Sequence, residues 1–197
     1  MTRNNWYYQE IKLLPHDLSL AFVWQRLYQE LHLRLVEHQE KEGSPIGFGF
    51  PDYGVKSEGF PVGERLHLFG TEQALRSFEL AKALNKFSEY VNITAVQAVP
   101  PNTSFVRYKR YQPKYNNLER LARRYAKRHN ISFEEALQKY ESKKQEISRL
   151  PFLQLKSHSS QNYFKLFIQK EDASSETQPQ FFSTYGLSKS GSIVPEL

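Results

Sequence analysis

Three observations predict an α+β chain of two domains. Apolar residues alternate between a period of two and a period of three to four through the first hundred positions. Pro100 and Pro101 then break the pattern, and an arginine-rich helical stretch opens a second set of helices and strands. A length of 197 residues accommodates two small domains, read as 1–100 and 101–197.

In the first domain Trp6 to Leu14 and Ile46 to Pro51 read as strands. Between them Leu20, Trp24, Leu27, Tyr28, Leu31 and Leu35 recur at helical spacing and make one apolar stripe. Arg65 to Gly70 is a short alternating strand, Ala74 to Phe87 a helix with Leu75, Phe78, Leu80, Ala81 and Leu84 on one side, and Ile93 to Val99 a last strand. Strand, helix, strand, strand, helix, strand is the split βαβ, ferredoxin-like order.

The second, smaller domain reads as α+β, with an arginine-rich helix and antiparallel strands. Leu118 to His129 is helical and stops at Asn130, a residue that tolerates left-handed backbone. Ser132 with Glu135 forms a capping box for a helix from Phe133 to Ser148, which Leu150 and Pro151 end. Phe152 to Ser157, Asn162 to Lys170 and Phe181 to Leu187 read as strands, and Glu171 to Gln180 as a polar, mobile loop.

With 39% hydrophobic and 14% aromatic residues the chain can fill a core, yet its apolar runs fall short of the roughly 18 residues a membrane span needs. A soluble protein with no membrane partner is expected. The first residues lack the apolar segment of a secretory signal, and there is no cysteine; both point to the cytoplasm. The lack of cysteine also removes thiol nucleophiles and thiolate zinc sites.

Charge is concentrated in one place. Between Phe105 and Asn130 stand Arg107, Lys109, Arg110, Lys114, Arg120, Arg123, Arg124, Lys127 and Arg128 against Glu119 alone, a net +8 where the whole chain carries +6. The remainder is slightly acidic. A cationic helix is usually just a solvated face, but Arg120, Arg123, Arg124, Lys127 and Arg128 recur at spacings of three and four, so they share one face with little to neutralise it. Such a face fits a nucleic-acid backbone. Just before it, Arg110 and Gln112 lie two apart in an extended segment and point the same way. Arginine can fork onto guanine and glutamine can pair with adenine, so this pair suits base reading.

From end to end the chain resembles the CRISPR-associated repeat-processing endoribonucleases of type I-F systems. The resemblance is carried by Glu30-Leu31-His32, by Ile46 to Pro51 (Ile-Gly-Phe-Gly-Phe-Pro), by Arg110-Tyr111-Gln112 ahead of the arginine-rich helix, by Leu150-Pro151-Phe152 with Lys156 to Ser160, by Phe164 to Ile168, and by Tyr185 to Lys189. It implies a metal-independent enzyme with no cofactor. The partner would be a CRISPR repeat hairpin, which the enzyme cuts at its 3′ base, staying bound to the mature crRNA alongside other subunits of a type I-F surveillance complex. The arginine-rich helix would enter the major groove of the stem, and Arg110 with Gln112 would read bases. Arg107, Lys114 and His129 fall in the same RNA-binding stretch.

The family's catalytic histidine maps to His32 when a short insertion is allowed in the 40–45 loop. His32 lies at the edge of the apolar stripe, where it can face a ligand. A free imidazole titrates near pH 6.5, roughly where a general base for a ribose 2′-hydroxyl should. Ser157 maps to a serine that holds the nucleophilic ribose, and Ser159 and Ser160 to positions that touch the RNA backbone. Phe164 maps to an aromatic that stacks on the base pair closing the stem, and Tyr185 to a tyrosine beside the histidine. Tyr185 would orient rather than transfer protons, since a phenol with a pKa of about 10 is a poor base at neutral pH.

The chain departs from the family pattern at Ala122 and Lys127, where relatives can carry arginine, and lysine lacks the bidentate fork. Gly47-Phe48-Gly49-Phe50 echoes an RNA-recognition signature but has no preceding basic residue, and it reads as structural. His16, His38, His67, His129 and His158 show no ligand spacing. The rival readings are a non-catalytic structured-RNA-binding subunit and a metal-dependent nuclease.

Overall fold

The computed structural model describes residues 6–55, 62–113, 118–141, 148–157, 161–173 and 181–197. It is an α+β chain with antiparallel sheets. Its contacts define two compact units, residues 1–111 with 150–197, and residues 112–149. The first unit holds both sheets and runs past the boundary read at residue 100.

The first sheet has the order β2-β3-β1-β4, from β1 (Tyr7–Leu13), β2 (Gly47–Gly49), β3 (Arg65–Gly70) and β4 (Val91–Ile93), with β5 (Gln97–Ala98) also on β1. All its pairings are antiparallel. The strand read over Ile93 to Val99 is thus two short pieces along one edge of β1. Between them the Thr94 hydroxyl accepts from Glu10 N–H at 2.9 Å and the Thr94 carbonyl from Gln9 Nε2 at 2.8 Å, so side chains take over part of the ladder.

Helix α1 (Leu20–Glu37) is capped by Ser19 and buries Val23, Trp24, Leu27, Tyr28, Leu31 and Leu35, the stripe expected from the sequence with Val23 in place of Leu20. The helix read over Ala74 to Phe87 is instead three pieces: α2 (Glu72–Phe78), α3 (Leu80–Ala83) and a 3-10 turn over Asn85–Phe87. Glu79 breaks it with a left-handed φ of 48°, which no periodicity reveals because Leu75, Phe78, Leu80 and Leu84 stay buried across the break.

The second sheet has the order β7-β8-β6-β9, from β6 (Phe105–Tyr111), β7 (Phe152–Lys156), β8 (Tyr163–Ala173) and β9 (Val194–Pro195). Three corrections follow. The first half of the basic stretch is the interior strand β6, β8 continues through Ala173 into the segment read as loop, and Phe181 to Leu187 is not a strand. Phe182 makes only isolated bridges to Ser44 and Ser188, because the chain turns sharply at Gly186. The sheets are tied together by Tyr108 Oη donating to Phe50 O at 3.0 Å and Tyr53 Oη to Ile168 O at 2.8 Å.

Gly47 on β2 has the Phe182 ring pressed where a Cβ would stand, so that glycine answers a packing demand. On β3, His67 is 4% exposed, with its Nε2 at 2.8 Å from Glu10 Oε2. Burial pushes the His67 pKa down and outweighs the pull of Glu10 upward, so the pair is a neutral N–H donating to a carboxylate rather than an ion pair.

The second unit contains α4 (Leu118–His129) and α5 (Phe133–Glu141), which pack together with Ala122 and Ala136 fully buried. Ala122 therefore serves packing instead of the cationic face. Asn130 takes a φ of 51°, and Ser132 and Glu135 exchange the two hydrogen bonds of the capping box at 3.1 and 3.2 Å. Residues 142–147, part of the helix read to Ser148, lie outside the described residues. Among the described residues no helix is long and apolar enough to cross a membrane.

Candidate active site

The site forms where one face of α1 meets the turn after Phe182. Ser183 N–H donates to Leu187 O and Gly186 N–H to Ser183 O, each at 2.8 Å, and Gly186 adopts a φ of 68°. The turn is pinned to the first sheet by Phe48 N–H donating to Gly186 O at 2.7 Å. Its carbonyls at Thr184 and Tyr185 point at α1.

Two residues one helical turn apart meet those carbonyls. Tyr28 Oη donates to Tyr185 O and His32 Nδ1 lies against Thr184 O, both at 2.7 Å. Burial pushes the Tyr28 phenol well above its ordinary pKa, and the nearby Tyr185 phenol adds to the effect, so Tyr28 remains a donor. A carbonyl oxygen only accepts, so His32 Nδ1 must carry a proton. In the neutral ring the lone pair is then on Nε2. A fixed tautomer is what a general base requires.

The His32 ring is stacked on Tyr185, with centroids 4.2 Å apart and planes 2° from parallel. The Arg110 guanidinium lies 5.5 Å from the Tyr185 ring centre and 5.7 Å from that of Phe164. Phe164 and Tyr185 meet edge to face at 6.3 Å. Four of the residues singled out in the sequence are thus brought together: His32, Tyr185, Arg110 and Phe164. Ser157 is half-buried at the end of β7, where its N–H donates to Asn162 O and its carbonyl accepts from Gln161 N–H, both at 2.9 Å. Gln29, three residues before His32, donates from Nε2 to Lys156 O at 2.9 Å, so the same helix also anchors the backbone beside Ser157.

The other candidates divide. Arg107 is half-buried and directed inward, with Nη2 donating to Gly191 O at 3.0 Å and Nη1 3.7 Å from Glu171. Lys109 is also held by Glu171, at 2.7 Å, so part of the basic stretch is neutralised within the protein. Arg120, Arg123, Arg124, Lys127 and Arg128 are all exposed on α4; Arg123 lies over the Phe133 ring and 3.3 Å from Glu119. The exposed His129 ring lies 4.1 Å from that of Tyr125, tilted by 31°. Gln112 is exposed and belongs to the second unit. Lys114, Ser159 and Ser160 lie outside the described residues. Among those described, no group of three His, Asp or Glu side chains is placed to hold a metal ion.

Sequence reading missed Thr184, whose backbone carbonyl sets the His32 tautomer, and Tyr28, which reads as one more core residue. A carbonyl leaves no signature in a side-chain pattern. Tyr28 offered a faint one, since a phenol in a stripe of leucines must find an acceptor.

Comparison with known proteins gives a consistent picture. The family model described as CRISPR-associated protein (Cas_Csy4) matches residues 8–197. A protein of Escherichia coli (strain UTI89 / UPEC) named CRISPR-associated endonuclease Cas6/Csy4 is 34% identical over 188 residues, covering 95% of this chain and 97% of the relative. One of the same name from Pseudomonas aeruginosa (strain UCBPP-PA14) is 31% identical with the same coverage.

Proposed function

The chain belongs to the Cas_Csy4 family of CRISPR-associated proteins, and on that premise we propose that it is an endoribonuclease that matures CRISPR RNA. It binds the hairpin of a CRISPR repeat, cuts at the 3′ base of the stem, and keeps the mature crRNA within a type I-F surveillance complex. The sheet order β2-β3-β1-β4 supports reading residues 1–100 as ferredoxin-like, with the RNA-binding elements in 101–197.

The observation that carries the reading is the His32 to Thr184 hydrogen bond, which leaves Nε2 as the acceptor. In the proposed reaction Ser157 holds the ribose so that its 2′-oxygen is in line with the adjacent phosphorus, and Nε2 takes the 2′-hydroxyl proton. The oxygen–phosphorus bond forms, the bond from phosphorus to the leaving 5′-oxygen breaks, and that oxygen takes a proton from water. The products are a 2′,3′-cyclic phosphate and a 5′-hydroxyl, with no metal ion needed. Positioning supplies most of the acceleration, and Tyr185 keeps the imidazole plane fixed. Exposed cations of α4 grip the stem, while Arg110 and Gln112 read bases.

The test uses the hairpin found by sequencing RNA that copurifies with the protein. Cutting in EDTA, together with resistance of the same hairpin carrying a 2′-deoxy sugar at the scissile nucleotide, is the expected result. Loss of cutting in EDTA would establish a metal-dependent nuclease. Tight binding with no cutting of either RNA would establish a non-catalytic subunit.

A further inference from the structure

Beside Ser157 a groove of about 460 Å³ opens between the middle of α1 and the 3-10 turn. Arg26, Lys86 and Lys156 line it with a single carboxylate, Glu30, so its wall is net cationic, and Phe87 contributes an aromatic ring. Among the described residues none of these three cations is held in an ion pair. Unneutralised cations interleaved with an aromatic face are what a single strand of nucleic acid needs: charge for its phosphates and a platform for a base.

We infer that this groove receives the single-stranded RNA segment on the 3′ side of the scissile phosphate. The inference rests on the hairpin-cleavage reading and adds a site to it. The polarity comes from the β7–β8 ladder. Phe164, the platform assigned to the foot of the stem, pairs with Leu155; the next rung joins Lys156 to Tyr163, and Ser157 follows, bonded to Asn162. From the platform to Ser157 is two residues, roughly 7 Å along the strand. The groove lies next to Ser157. Lys156 stands between the platform and the ribose position, and a strand that continues past Ser157 meets Arg26 and Lys86 beyond the phosphate that is cut. The hairpin lies on the 5′ side of that phosphate, so what enters the groove is the leaving strand.

The groove makes a prediction about location that photo-crosslinking reads directly. Three RNAs are built on the copurifying hairpin, all with a 2′-deoxy sugar at the scissile nucleotide so that none is cut. One carries 4-thiouridine at the second position 3′ of the cut, one carries it 5′ of the stem, and one ends at the cut and is unlabelled. The 3′ label should crosslink to the peptide containing Lys86 and Phe87, and the 5′ label should not. In an Arg26→Ala, Lys86→Ala double variant, both positions being exposed, the yield should drop roughly five-fold, with a shallower salt dependence, and Arg26→Lys with Lys86→Arg should restore it. Crosslinking of the 3′ label to other peptides, or of the 5′ label to this one, overturns the inference and leaves hairpin cleavage standing. If the unlabelled hairpin fails to bind, the hairpin reading itself falls, and this one with it.

Discussion

The imidazole of His32 and the phenol ring of Tyr185 are stacked, with centroids 4.2 Å apart and planes 2° from parallel. The contact uses the face of Tyr185 and leaves its hydroxyl out. Tyr185→Phe should therefore keep cleavage within about three-fold, whereas Tyr185→Ala should slow it about five-fold, in line with a stacking contribution of about 1 kcal/mol. Single-turnover rates on the repeat hairpin distinguish these outcomes, and a large loss in Tyr185→Phe would assign the hydroxyl a chemical role.

His32→Ala should slow cleavage by about 10² to 10⁴, the usual share of a general base, while hairpin affinity stays within a few-fold. Rate and binding are measured separately, by single-turnover cleavage and by filter binding of the uncut 2′-deoxy hairpin. Loss of both together would mean that His32 supports the fold instead of the reaction.

Gly186→Ala should damage both stability and catalysis. Its φ of 68° disfavours a side chain, and a Cβ would run into the Phe48 ring. Left-handed strain and overpacking together should cost about 2–4 kcal/mol in urea unfolding. Because Thr184 and Tyr185 lie in the same turn, cleavage should fall even at temperatures where the variant remains folded.

Neutralising Arg124 and Arg128, both exposed on α4, should weaken hairpin binding and flatten its dependence on salt. Each lost phosphate contact reduces the slope of log affinity against log salt by roughly 0.7 to 0.9. Replacing Arg107 should act differently. Its bond to Gly191 O predicts lost stability with a salt slope close to that of the parent.

Acid should destabilise the protein partly through His67. Burial lowers its pKa in the fold below the ordinary value of about 6.5, so the unfolded chain binds that proton more readily. The contribution of neutral His67 is present above about pH 6.5 and is lost as pH falls below it. Urea unfolding between pH 7 and pH 5 should show this decline, and His67→Gln should remove that part of it.

Much of this was legible in the sequence where one residue's chemistry decides the outcome locally. The apolar stripe of α1, the extent of α4, the left-handed Asn130 and the Ser132–Glu135 capping box all follow from neighbours within a few positions. What stayed hidden depends on partners far along the chain. Arg107 reads as part of the RNA-binding stretch, yet Glu171 holds Arg107 and Lys109 on a central strand. The break at Glu79 leaves the apolar spacing intact. His32 could be placed at the edge of its stripe, but Thr184, 152 residues away, supplies the carbonyl that decides which nitrogen is basic.

That separation also sets a timetable. At a translation rate of about 5–20 residues per second, His32 is made roughly 8 to 30 seconds before Thr184. During that interval the imidazole has neither its carbonyl nor its stacking ring. Under the proposed function, a nascent chain whose cationic helix is already exposed would hold RNA before its His32 site is assembled, so binding would come before cutting.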